Sequence, residues 1–193
     1  MPFLSLKFLN FSFILISITL SGCAVKRPAS DSNIPLSTKH EVATKAISRI
    51  IEKEEVKKEI PKGMLKAIAD VESRFNPYAV NAQKKSYLLK TKKEATKLIQ
   101  NFVNRGYTNI SVGCLQIHYK THKDHFSSIE AMLIPENNVA YAAALLKSLY
   151  KRYGSWEKAI KMYHTSNPVH NKPYYQKVMK RYLSYFSASA REK

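Results

Sequence analysis

The last third of this chain places its apolar residues at helical spacing. Val139, Ala142, Ala143, Leu146, Leu149 and Tyr153 fall three or four residues apart, and Gly154 closes the run. At 3.6 residues per turn they share one side of an α-helix. Ser155 suits the N-cap of a second helix that turns Ala159, Ile160 and Tyr163 inward and stops before Pro168. A third, opened by Pro173, would bury Tyr175, Val178, Met179, Tyr182, Leu183 and Phe186. Each stripe must be covered by another element, so the three together predict a mostly α fold.

Two earlier segments follow the same rule. Val42, Ala46, Ile47, Ile50 and Ile51 form one stripe. The next helix is expected from Pro61, a good first-turn residue, to Asn76-Pro77, where the proline pushes its predecessor out of the α region. On that helix Glu72 overlies Ile68 and Leu65, so the apolar face carries an acid. Burial disfavours the ionised form of a carboxyl and raises its pKa, which is how an enzyme keeps a general acid protonated near neutral pH. A cap or ion pair to a neighbouring element is the other reading of this position. Asp70 falls on nearly the opposite face and reads as solvated.

Between Val80 and Val112 lies an insertion-like segment. Ser86-Tyr-Leu-Leu89 suits a short strand. Thr91-Lys-Lys-Glu94 is a capping box for a helix with Ala95, Leu98, Ile99, Phe102 and Val103 inward, closed by Gly106. A short extended piece, Tyr107 to Val112, leads into Gly113.

Four groups of residues then occur in a telling order. They are Glu72-Ser-Arg-Phe-Asn-Pro77 with Ala79 and Asn81, Gly113-Cys-Leu-Gln-Ile117, Pro135-Glu-Asn-Asn-Val-Ala-Tyr-Ala-Ala143, and Tyr153-Gly-Ser-Trp-Glu-Lys-Ala159 with Tyr163-His164 ahead of Tyr175. Over roughly residues 42 to 183 this arrangement resembles the soluble lytic transglycosylase family, which cleaves bacterial cell-wall glycan. The insertion, and Tyr-His in place of the more usual Tyr-Asn, resemble one subset of it. The resemblance implies a mostly α, lysozyme-like domain over residues 41–188, with a small insertion able to hold a short hairpin. It implies a groove between helical layers into which Glu72 projects as the catalytic acid. Ser73 and Gln116 match family positions that line the cleft, and Tyr163 matches a tyrosine whose hydroxyl approaches the catalytic carboxyl. Asn81, Asn138 and His164 complete the candidate substrate-binding set.

The chemistry implied is cleavage of the β-1,4 bond between N-acetylmuramic acid and N-acetylglucosamine, leaving 1,6-anhydromuramoyl ends. It needs no metal and no organic cofactor. Hydrolytic glycosidases usually set two carboxylates across the scissile bond. Asp124, Glu130 and Glu136 are the acids that could supply a second cleft carboxylate, and none sits in a family catalytic position. A hydrolytic muramidase and a non-catalytic peptidoglycan-binding assembly protein are the alternatives, and the resemblance leaves open a partnership with an envelope-spanning machine.

His118, His122 and His125 are spaced by four and three, as metal ligands on one helical face would be. No fourth ligand is near, Lys120 and Lys123 intervene, and the family uses no metal, so the expectation is a surface histidine cluster beside the cleft. Cys114 is expected to pack as a small apolar residue.

The N-terminus supplies an address. Lys7 precedes the apolar stretch Phe8 to Leu20, too short to span a bilayer comfortably, and Leu20-Ser-Gly-Cys23 resembles a bacterial lipobox. Residues 1–22 then read as a lipoprotein signal peptide, Cys23 as the acylated first residue of the mature chain, and 23–40 as a flexible tether. Ala24 after the cysteine fits outer-membrane sorting, which places the domain at the periplasmic face of the envelope. Lys and Arg number 32 against 14 acids, a net charge of +18. Such an excess suits nucleic acid, but the export signal argues against that partner. Peptidoglycan, with its lactyl and peptide carboxylates, and anionic lipid headgroups are the polyanions that the address allows.

Overall fold

The computed structural model describes residues 36–189. The signal peptide, the lipidation site Cys23 and most of the tether lie outside the described residues. The first helix, α1, spans Leu36–Lys57 and takes in residues 36–40, which composition had assigned to the tether. No glycine or proline interrupts that stretch. Its buried stripe is Ile47, Ile51 and Glu55, four residues apart, whereas Val42 is 63% exposed and lies off it.

Helix α2 spans Met64–Ser73, starting later than Pro61 suggested, because Gly63 (φ 85°) is its N-cap and Pro61 lies in the preceding turn. The Glu55 carboxylate closes its first turn. It accepts hydrogen bonds from the backbone N–H of Gly63 (2.7 Å), Leu65 (2.8 Å) and Lys66 (3.1 Å). A side chain from α1 thus satisfies donors that a helix start leaves without partners. At the other end Arg74 (φ 53°) and Phe75 (φ 63°) are both left-handed, which stops the helix at Ser73. Asn76 Oδ1 then accepts the N–H of Tyr78 at 2.7 Å and turns the chain into the insertion.

The insertion holds a four-stranded antiparallel sheet in the order β2-β1-β3-β4. Strands β1 (Ala79–Ala82) and β2 (Lys85–Leu88) form a hairpin, and β3 (Ile110–Val112) pairs with β1 on one side and β4 (Ile117–His118) on the other. Helix α3, Lys92–Asn104, joins β2 to β3. Half of the predicted capping box forms: Thr91 Oγ1 accepts the N–H of Glu94 (3.2 Å), while Glu94 Oε2 reaches one residue past the N-cap and accepts the N–H of Lys90 (3.1 Å).

After β4 come two short helices, α4 (Tyr119–His122) and α5 (Ile129–Met132), separated by a 3₁₀ turn at Lys123–His125. The long elements follow: α6 Pro135–Tyr153, α7 Trp156–His164 and α8 Pro168–Ser189. Gly154 (φ 65°) ends α6, and Ser155 Oγ accepts the N–H of Lys158 at the start of α7. Helix α8 departs from the expectation. It begins at Pro168, five residues early, and runs through Pro173. That proline costs one backbone hydrogen bond without breaking the helix. Continuity changes the buried face: Tyr174 and Val178 turn inward, Tyr175 is only half-buried and Leu183 is 61% exposed.

Helix α2 packs against both α1 and α8, and α6 packs against α1 and α7. Leu65, Ile68, Leu115, Leu146, Ile160 and Val178 are fully buried in the core that these helices share with the sheet. The fold is mostly α, as the stripes predicted, with the sheet set to one side of α2.

Candidate active site

The last turn of α2 presents Glu72 to a cavity of about 460 Å³ bounded by the sheet, α4, α6 and α7. Asn81, Gln116, His118, His122, Tyr163 and His164 are among its walls. Glu72 is half-buried: protein encloses most of the side chain, and the rest faces the cavity. Burial pushes its pKa up from 4.5 to about 7, and a hydrogen bond from Tyr174 pulls the other way. The Tyr174 hydroxyl donates to Glu72 Oε1 at 2.6 Å. Tyr174 stays a neutral donor, because burial and the nearby carboxylate raise the phenol's pKa far above its usual value. The His164 ring stacks on Tyr174 with centroids 4.2 Å apart, so the donor is held from its open side.

The segment Gly113 to Gln116 is the turn between β3 and β4, and its last residue, Gln116, lines the cavity with Glu72. Three sequence-predicted residues converge on its backbone. Ser73 Oγ donates to the Cys114 carbonyl (2.8 Å), and the Tyr163 hydroxyl donates to the Leu115 carbonyl (2.7 Å). Asn138, fully buried, accepts from the Leu115 N–H and donates to the carbonyls of Val112 and Met132, each at 3.0 Å. These three residues therefore shape the turn with polar atoms that are already committed. The resemblance implied a tyrosine hydroxyl at the catalytic carboxyl; in the structure Tyr174 makes that hydrogen bond and Tyr163 holds the turn. Gly113 (φ 83°) sits so close to Asn138 that a Cβ there would lie 2.4 Å from Asn138 Nδ2. Cys114 is fully buried with its thiol against Asn138 Oδ1 (3.4 Å), packed as expected.

Tyr163 also lines the cavity, as do the remaining candidates. Gln116 donates through Nε2 to the carbonyls of Gly113 (2.8 Å) and Ala79 (3.2 Å), which fixes its plane and leaves its amide oxygen open. Asn81 is the exposed residue of the otherwise buried β1, and its Nδ2 donates to Ser86 Oγ at 3.2 Å. His164 is exposed at the rim. Burial lowers the pKa of His164, His122 and His118, which favours neutral imidazoles in the cleft.

The three histidines do not share a helical face. His118 ends β4, His122 ends α4 and His125 is in the 3₁₀ turn. His118 is held by Thr121 (2.7 Å) and Asn109 (3.0 Å), and His122 by the Tyr141 hydroxyl (2.8 Å). Among the described residues no three His, Cys, Asp or Glu side chains are grouped to hold a metal ion.

Two residues escaped the sequence reading. Tyr174 was legible only with α8 continuous through Pro173, where its four-residue spacing to Val178 sets the phase. Glu55 carries the same signal as Glu72, an acid on an apolar stripe, four residues after Ile51. The surroundings separate the two: three N–H groups occupy Glu55, and burial raises its pKa against their pull, whereas Glu72 has one phenol and an open cavity. Among the described residues, Glu72 is the only carboxylate lining that cavity. Asp124, Glu130 and Glu136 do not line it, and Asp124 pairs with Lys123.

A carboxyl that titrates near neutrality, held by a neutral phenol and facing a polar cleft, is fitted to give up a proton and take one back. Residues 49–182 match the family model described as "Transglycosylase SLT domain". None of the curated proteins and none of the solved structures matches the chain.

Proposed function

Since this chain belongs to the transglycosylase SLT-domain family, and has that family's mostly α, lysozyme-like fold, we propose that it is a peptidoglycan lytic transglycosylase with Glu72 as its single acid and base. The observation that carries the reading is the solitary carboxylate in the cleft. Hydrolytic glycosidases generally need a second one, to activate water or to form a covalent intermediate. One acid suits an intramolecular displacement. Protonated Glu72 donates to the glycosidic oxygen between N-acetylmuramic acid and N-acetylglucosamine, and that bond breaks. The substrate's acetamido group stabilises the oxocarbenium-like centre. Glu72, now a carboxylate, takes the proton from the C6 hydroxyl as that oxygen bonds to C1. The product is a 1,6-anhydromuramoyl end, and no water is consumed.

The residues around Glu72 support the two roles. Tyr174 donates to the carboxylate and so stabilises the form that must act as base. The open oxygen of Gln116, the amide of Asn81 and the rim imidazole of His164 suit the hydroxyls and acetamido groups of sugars. Ser73, Tyr163 and Asn138 act through the turn they hold. Lipidation at Cys23 and residence at the periplasmic face of the outer membrane complete the proposal, on the strength of the Leu20-Ser-Gly-Cys23 sequence.

The test is mass spectrometry of muropeptides released from purified peptidoglycan by the full chain and by Glu72→Gln. Anhydromuramoyl products from the parent alone are expected. Reducing ends would make the protein a hydrolase, and no release from either would leave it a binding protein.

A further inference from the structure

A second cavity, of about 430 Å³, lies between α2 and α8 on the side of α2 turned away from Glu72. Its walls carry Arg74, Lys177, Lys180 and Arg181 around a single acid, Asp70. Asp70 is not the solvated residue its helical position suggests. Its Oδ2 is held by the Tyr185 hydroxyl at 2.9 Å and by Arg181 Nε at 3.4 Å. Those contacts orient Arg181 and leave the terminal nitrogens of its guanidinium without a partner among the described residues. Among the described residues, Arg74, Lys177 and Lys180 make no ion pair or hydrogen bond there through their side chains. Arg74 is the left-handed residue that ends α2, so the strained backbone of the helix stop is what carries its side chain to this groove.

A solvated lysine face would be convex, with its charges spread apart. Here four cations converge on a concavity with one neutralising acid, an arrangement that concentrates positive potential and favours an anionic occupant. Lys177 connects the groove with the rim of the cleft, although the two cavities share no lining residue. Lys177 is one helical turn from Tyr174, the residue that holds Glu72, and lies near enough to His164 to act on its titration. We propose that this groove binds the carboxylates of the peptide stems of peptidoglycan while the glycan occupies the neighbouring cleft. The inference rests on the peptidoglycan reading given above and adds to it the part of the polymer that the second site grips. Guanidinium and ammonium groups recognise carboxylates directly, and a glycan held in the cleft presents its stems at high effective concentration.

The test uses the full chain in mild detergent, with Arg74, Lys177 and Lys180 all changed to Gln in a Glu72→Gln background that does not digest the ligand. Co-sedimentation is measured with sacculi whose glycan has been covalently anchored to beads, either left intact or stripped of stems by an amidase after anchoring, so that both forms sediment. The parent should bind intact sacculi about tenfold more tightly than the triple variant, given the modest contribution of each exposed charge pair. Stripping the stems should cost the parent a similar factor and the triple variant little more, and added salt should narrow the difference. Equal parental binding to intact and stripped sacculi would overturn the proposal without reliance on any variant. So would equal binding of parent and triple variant to intact sacculi. A loss confined to the preference for anionic over zwitterionic vesicles would overturn it in favour of a lipid surface. Muropeptide release is followed separately with Glu72 intact. If anhydromuramoyl ends appear but the stems make no difference, the groove assignment fails alone; if binding depends on the stems but no product appears, the catalytic reading fails alone.

Discussion

Replacing Glu72 with glutamine should make this protein more stable, and only above acid pH. In the folded chain the Glu72 carboxyl titrates near 7, against an ordinary value of 4.5. Between those values the native state holds a proton that the unfolded chain has released, so stability falls as pH rises through the window. At about 1.4 kcal/mol per pH unit the total is about 3 kcal/mol, lost in full above pH 7. Glutamine has nearly the same shape, carries no charge at any pH and keeps an oxygen for the Tyr174 hydroxyl. Parent and Glu72→Gln should therefore be equally stable near pH 4 and differ by about 3 kcal/mol at pH 8, or about 10 °C in melting temperature for a domain of this size. Urea unfolding followed by circular dichroism at pH 4, 6 and 8 reads the difference. Equal stability at pH 8, or a gap that widens toward acid, would refute the claim that the fold stores free energy in an unfavourably buried carboxyl. The experiment needs no substrate and is independent of which bond the protein cleaves.

Three further outcomes are expected. Tyr174→Phe removes a hydrogen bond that is stronger to the carboxylate than to the neutral acid, so the alkaline limb of the pH–rate profile for muropeptide release should move up by about one pH unit; Tyr163→Phe, which frees only the Leu115 carbonyl, should leave that limb in place. Gly113→Ala forces a methyl group to 2.4 Å from Asn138 Nδ2 at a positive φ and should lower stability by about 3 kcal/mol or more, seen as a fall in the thermal midpoint with helix content kept in the folded fraction. Glu55→Gln turns an amide NH₂ toward backbone donors and should cost about 2 kcal/mol in urea unfolding, the opposite sign to Glu72→Gln at pH 8, with activity per folded molecule unchanged.

The sequence carried its helices clearly because burial and helical period coincide in them. Leu146, Ile160 and Val178 fall where the stripes put them, and Thr91 caps α3 through the N–H of Glu94 because a cap is decided by four adjacent residues. What stayed hidden depends on partners distant in the chain. Whether an acid on an apolar stripe is a cap or an open carboxyl is settled by residues 63–66 for Glu55 and by Tyr174 for Glu72. Pro173 marks a helix start by local rules, yet packing of α8 on α2 and α7 carries the helix through it and shifts the inward tyrosine by one residue. The small sheet was legible only in pieces, since β1, β3 and β4 are each four residues or fewer, and it is their mutual pairing that holds them extended. Ser73, Tyr163 and Asn138 were found as a group, but only the structure brings out the Gly113–Gln116 turn as their common target.

Helix α2 is ten residues long, with Glu72 in its last turn and the carboxylate of Glu55, reaching over from α1, at its first. Its peptide dipoles point one way, leaving partial positive charge where Glu55 sits and partial negative charge where Glu72 sits. The same rod therefore favours the anion at its start and the neutral acid at its finish. Reading the helix as a polarised strut between two carboxyls explains why one fold can bury two identical side chains and ask opposite things of them. Burial raises the pKa of both carboxyls; the direction in which the chain runs through this single element opposes that rise at Glu55 and adds to it at Glu72.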